Sequence, residues 1–195
     1  MSRFRLRPVL ASEQALVYEW RNDPVVRRVM PNTDLVEPEQ HKDWWPTALA
    51  DPERRMMMLD DAQTPVALIV FFDLTPGHSA NWGFYAGTSQ SSRPDRLAMW
   101  VTVELAAVDY AFDHLHLEHL FCETRETNQV VLLLHDRIGF VDAGQGQPGF
   151  VRKCFTRARY ESLRKSPTFA RLADVLFEDD PRDLRIPTNI RRCQS

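Results

Sequence analysis

The stretch from Ala98 to Phe140 constrains what this chain can fold into more than any other part of it. Residues 98–112 place Trp100, Val103, Ala107, Tyr110 and Ala111 at the three-and-four spacing of an amphipathic helix. The apolar run 117–124 is too short for a globular helix, and its Leu and Phe content predicts a strand. Asn128 opens a second helical pattern through Val130, Val131, Leu134 and Ile138, which Gly139 closes as glycines commonly do at helix ends. Phe140 and Val141 start another strand. Helix, strand, helix and strand in this order form an α/β crossover unit, which needs a sheet to lie on.

The remainder of the chain supplies that sheet. Residues 3–9 alternate, with Phe4 and Leu6 against Arg3, Arg5 and Arg7, and predict a strand with one wet face. Ser12 is expected to cap a helix whose apolar side is Ala15, Leu16, Tyr18 and Trp20. A short helix follows Pro24 over 25–30, then a polar loop at 31–34 and a helix from Glu37 to Ala50. Strands are expected at 54–59, 65–73 and 80–87, joined by turns at 60–64 and 75–78. Residues 150–155 and 158–163 read as closing strands. Residues 167–177 read as a helix, and the charged run from Glu178 as a tail on the surface. The organisation expected is one domain over 1–165, with 166–195 as a C-terminal helix and tail that form no separate domain.

A net charge of −3 argues against non-specific nucleic-acid binding, which needs a basic surface. No apolar run approaches the about 18 residues of a membrane helix, and the N-terminus lacks the apolar core of a signal peptide. Three widely spaced cysteines, Cys122, Cys154 and Cys193, fit neither a disulfide framework nor a zinc site. His114, His116 and His119 lie where helix passes into strand, which scatters their side chains, so no metal is expected. The expected location is the cytoplasm.

The phrase from Asn128 to Phe140 resembles the second half of a GNAT acyltransferase, whose members carry an Asn, an amphipathic helix with a Tyr or His, and a closing Gly-Phe. The segments Tyr18–Pro24 and Asn81–Tyr85 are similar to those of the GNAT members that acetylate the 4-amino group of a UDP-linked amino sugar in the pseudaminic acid pathway. The resemblance covers roughly residues 3 to 165. It implies a central mixed, mostly antiparallel sheet flanked by helices, acetyl-CoA as the acyl donor without a metal, and a small-molecule amine as acceptor. A homodimer is a further expectation.

Acyl transfer from a thioester to an amine needs a group to take the amine's proton, a donor for the oxyanion and an acid for the leaving thiolate. The resemblance puts His135 where the family has its Tyr, so an imidazolium there would protonate the thiolate; a structural histidine on a helix flank is the alternative. It puts Glu123 at a substrate-contacting position, as a proton acceptor or an orienting group; a solvated partner of Arg125 or Arg152 is the alternative. Asn128 would bind the coenzyme, cap its helix, or both. Phe84 and Tyr85 lie on the strand expected to meet the donor. Arg21, Met30, His41, Trp44 and Asn81 correspond to acceptor-binding positions, with Arg21 suited to a phosphate and Trp44 to a uracil or sugar face. Trp44 and Trp45 read equally well as edge and core.

Where the family has a glycine-rich phosphate loop, this chain has Arg93-Pro-Asp-Arg-Leu, with no glycine. Glycines there let backbone N–H groups close on a pyrophosphate; Arg93, Arg96 and Leu97 at a helix start would have to stand in. That departure keeps two other readings open: an acyl-carrier-protein thioester as donor, with a peptide, antibiotic or protein amine among the acceptors, and a GNAT-shaped binding protein without catalysis.

Overall fold

The computed structural model describes residues 3–87, 93–170 and 175–183, with the side chains of 93–97 outside that description. The alternation at the N-terminus forms β1 (Phe4–Pro8), antiparallel to β2 (Arg55–Asp61). Arg7 breaks the expected wet face, because it is buried between two carboxylates. Its guanidinium donates to Asp60 at 2.7 and 3.0 Å and to Glu13 at 2.7 and 3.0 Å, fork to fork. That pull keeps Asp60 in the sheet, so the turn expected at 60–64 shrinks to Ala62 and Gln63, both at positive φ.

The chain returns along β3 (Thr64–Thr75) and β4 (Ser79–Ala86), both antiparallel to their predecessors. The crossover unit then adds β5 (His119–Arg125) parallel to β4, while β7 (Phe150–Thr156) and β6 (Val141–Gln145) extend that side. At the opposite edge β8 (Val175–Phe177) pairs parallel with β1. The sheet order is β6-β7-β5-β4-β3-β2-β1-β8, mixed and mostly antiparallel as expected.

Both faces are covered, which is why β2 and β3 read as nearly continuous apolar runs. One layer holds α1 (Gln14–Asn22), α2 (Pro24–Arg27) and α3 (Pro38–Ala50). There Val17, Trp20 and Trp45 pack on Met56, Met58 and Leu68. The other holds α4 (Arg93–Asp109, continued by a π turn at Tyr110–His114), α5 (Gln129–Ile138) and α6 (Arg157–Leu163). There Val103, Ala107, Tyr110 and Ala111 pack on Met57, Leu59, Ile69 and Phe71. Gly139 closes α5 at φ +115°, where a Cβ would also press on the Phe155 ring.

Four expectations are corrected. Residues 158–163 are helical, since Thr156 accepts the Arg159 N–H and the helix buries Tyr160 against Phe112. Of the helix expected at 167–177, Val175–Phe177 is strand β8 instead, and 171–174 lie outside the described residues. The charged segment after it is anchored as far as Asp183 rather than laid on the surface, and 184–195 lie outside the described residues. Asp183 is buried and accepts from Arg55 Nε at 2.6 Å and Tyr110 Oη at 2.7 Å. Ser12 caps nothing; it sits inside a 3₁₀ turn at Ala11–Glu13, where Glu13 accepts the Leu10 N–H. No helix among the described residues is long and apolar enough to cross a membrane.

Candidate active site

The two central parallel strands pair for only three residues. Ser79–Asn81 of β4 match His119–Phe121 of β5, and no rung joins them beyond Asn81 and Phe121. Yet β4 stays paired with β3 as far as Ala86, and β5 with β7 as far as Arg125. The sheet therefore forks, with Trp82–Ala86 on one arm and Cys122–Arg125 on the other. Backbone groups facing such a gap lack their ladder partners, so an extended amide-bearing arm can enter it as a strand would.

On the α4–α5 side of the fork sits a buried polar group in an otherwise apolar layer. His135 is only 2% exposed, packed by the Trp82 and Phe140 rings. Its Nε2 lies 3.0 Å from Oε1 of Glu104, and its Nδ1 lies 3.6 Å from Sγ of Cys122. Glu104 is fully buried, and neither of its oxygens finds an aligned hydrogen bond among the described residues, so the pair is held by charge. Burial works against a charged imidazole, but the Glu104 carboxylate and the hydrogen-bonding contact with Cys122 outweigh it and raise the His135 pKa. Both ring nitrogens of His135 thus have a polar neighbour, Nε2 at Glu104 and Nδ1 at Cys122, and the raised pKa favours the charged form. Nε1 of Trp82, on the facing arm, is buried without a hydrogen-bond partner among the described residues.

The other side of the fork faces α1–α3. Glu123 is exposed and makes no ion pair among the described residues, because both candidate partners are used elsewhere. Arg125 donates to the carbonyls of Met30 at 2.8 and 2.9 Å and Pro31 at 3.2 Å, and Arg152 lies over the Phe121 ring. Arg125 thereby ties the loop after α2 to β5, which places Met30 beside the fork. Arg21 donates Nη2 to Asn32 O at 2.9 Å and leaves Nη1 buried without a partner among the described residues. Tyr85 packs into this layer; burial raises its pKa to about 12 against the opposing charge of Arg21 and Arg54. His41 is buried among the Tyr18, Trp44 and Trp45 rings, its pKa is lowered by burial, and its Nε2 has no partner among the described residues. Trp45 is core, with its indole N–H on Ala11 O, while Trp44 is 38% exposed at the rim.

The structure thus gathers His135, Glu123, Tyr85, Phe84, Met30 and Arg21 around or beside one fork. Phe84 stacks on Trp82 on the α4–α5 side. Asn81 stands at the base of the fork with its amide given to Asp73 at 2.8 Å. Asn128 occupies the cap position of α5, but its side chain makes no capping hydrogen bond. Arg93, Arg96 and Leu97 fall in the first turn of α4, where the side chains lie outside the described residues. No group of three or more His, Cys, Asp or Glu suited to a metal occurs among the described residues. Sequence reasoning missed Glu104, Cys122 and Trp82. The signal for Glu104 was its spacing, four residues after Trp100 and seven before Ala111, which puts it on the apolar stripe of α4.

A family model described as an acetyltransferase (GNAT) domain matches residues 3–141, more than half of the chain. No curated protein sequence matches significantly. Among solved structures, a spermidine N-acetyltransferase from Vibrio cholerae in complex with CoA and spermine superposes with a TM-score of 0.69 at 16% identity, covering 82% of this chain and 98% of that one. The Campylobacter jejuni N-acetyltransferase PseH in complex with acetyl coenzyme A gives 0.61 at 16% identity, covering 79% of this chain and 99% of that one. At such identities the likeness speaks for the fold alone, and the family model speaks for membership. The chain belongs to the GNAT acetyltransferase domain family, as a GNAT-type N-acetyltransferase.

Proposed function

We propose that the protein moves an acetyl group from acetyl-CoA to the amine of a nucleotide-linked amino sugar. The observation that carries the reading is the fork between β4 and β5, with different chemistry on its two sides. A pantetheine arm laid in the fork would pair with the free backbone edges and bring its thioester to the apex. Coenzyme A and acetyl coenzyme A accompany two of the similar folds named above. Glu123, exposed on the α1–α3 side and unpaired among the described residues, would take the ammonium proton of the acceptor directly or through one water.

The acceptor class follows from charge on that same side. Arg21 has a buried N–H without a partner among the described residues, a donor suited to a phosphate oxygen, and the half-exposed Trp44 offers a flat face to a base or sugar. A polyamine would want carboxylates in those places. Arg93 and Arg96 remain the residues proposed to meet the coenzyme's phosphates.

The test is acetyl-dependent thiol release with a UDP-linked 4-amino sugar beside spermidine, using the same protein. The sugar should turn over, free UDP should compete with it, and Arg21→Ala should raise its KM with little change for acetyl-CoA. Turnover of spermidine without inhibition by UDP would contradict the acceptor assignment. Activity with a pantetheine thioester but not with acetyl-CoA would move the donor to a carrier protein.

A further inference from the structure

We propose that Gly83 is the port through which the acceptor amine reaches the thioester, its missing side chain admitting an amine carried on a ring carbon. The proposal rests on the amino-sugar reading above and names the residue that selects for that class. Glycine in the middle of a β-strand is destabilising, because it loses the most conformational freedom on folding and brings no side chain to pack. Gly83 stands inside β4, Ser79–Ala86, with strand residues on both sides. Such a residue needs a reason.

The fold supplies none of the usual ones. The backbone at Gly83 is not left-handed, unlike that at Gly139. It pairs in register with Val70 of β3, and the irregularity of that ladder lies between Phe72 and Thr75. No neighbour crowds it either. A Cβ placed on Gly83 meets no heavy atom of the described residues within 4 Å, whereas one on Gly87 would strike the Trp20 ring at 2.8 Å. The space that any other side chain would take is open. A strand glycine with neither a backbone nor a packing need marks a place where a ligand comes close to the main chain.

Its position says which ligand. Asn81, Gly83 and Tyr85 alternate onto one face of β4, the face that meets α1–α3 through Tyr85. The last rung between the central strands joins Asn81 to Phe121. Gly83 and Glu123 each follow that rung by the same interval, so they stand level with one another across the fork and on the same face. Glu123 is exposed there. With the thioester in the fork, an amine must come within about 3–3.5 Å of the carbonyl carbon to attack it. Glu123 takes the amine's proton from one arm, and the empty position at Gly83 leaves the other arm clear. An amine on a ring carbon is branched directly behind its nitrogen and needs that clearance. The terminal amine of a linear chain is slim there and does not.

The experiment compares the full chain with Gly83→Ala and Gly83→Val, with a UDP-linked 4-amino sugar and spermidine as acceptors. Gly83→Ala should keep a thermal midpoint at or above that of the parent, since the added methyl meets no neighbour and the unfolded chain loses freedom. Its acetyl-CoA affinity, read by calorimetry, should stay close to that of the parent. Its kcat/KM for the sugar should fall about tenfold or more, the order that one carbon makes in a filled site, and Gly83→Val should lose more. Sugar turnover by the parent and by Gly83→Ala within a few fold of each other overturns the port and leaves the acceptor reading intact. So does an equal loss in acetyl-CoA affinity, which would assign the open position to the donor. A lowered midpoint in Gly83→Ala also overturns it, because the fold itself would then need the glycine. Turnover of spermidine but not of the sugar by the unaltered protein overturns this proposal and the acceptor reading together.

Discussion

His135 and Glu104 bring opposite charges into a layer made of Trp82, Leu120, Phe140 and Phe155. Removing water from both is expensive, and the pair is worth keeping only while both members are present: taking one away commonly costs about 3–5 kcal/mol. Because the folded-state pKa of His135 is raised, to about 10, the pair stabilises fully below the ordinary histidine value of about 6.5 and loses that contribution as pH rises through the raised one. Thermal midpoints should therefore fall between these limits, and Glu104→Gln should lower stability and flatten that fall. An unchanged slope in Glu104→Gln would show that His135 carries no charge. Glu123 gives the opposite case, an exposed carboxylate with no ion-pair partner among the described residues. Glu123→Gln should leave stability alone and cut turnover by about a hundredfold or more, measured at saturating acetyl-CoA. An effect confined to the acceptor KM would make it an orienting group.

The elements around the fork were legible to different degrees. Periodicity gave the crossover unit because α4, β5 and α5 bury sides that the sequence marks, and Gly139 ends α5 where the left-handed backbone requires it. The spacing also held the clue to Glu104, but a lone carboxylate in a helix reads as a solvent-facing residue until its neighbours are known. Residues 158–163 failed as a strand because their alternation is equally a helical pattern once Thr156 caps it. Cys122 and Trp82 could not be singled out, since the end of β4–β5 pairing is a property of the sheet and not of either strand. Arg125 shows how such long-range contacts shape the site, since one side chain of β5 holds the loop at Met30 and Pro31. Arg125→Ala should free that loop and raise the acceptor KM several-fold, with the acetyl-CoA KM unchanged; equal shifts in both would mean that the loop serves the donor.

For the molecule as a whole, the C-terminal segment is part of the structure that holds the sheet. β8 completes one edge, and Asp183 answers the buried Arg55 of β2 and the Tyr110 hydroxyl of the π turn after α4. Asp183→Ala should remove the carboxylate that pairs the buried guanidinium and cost about 3–5 kcal/mol in denaturant unfolding, with kcat unaltered per folded molecule. A loss below about 1 kcal/mol would place the pair among weakly contributing surface contacts. The same sheet that this segment closes at one edge opens in its middle, between β4 and β5, where acyl transfer is proposed to happen. The most direct measurement is a crystal structure with a hydrolysis-resistant analogue of acetyl-CoA. The pantetheine arm should lie between β4 and β5, with the acyl group at the apex beside Cys122 and Trp82. An arm bound elsewhere, with the fork empty, would contradict it.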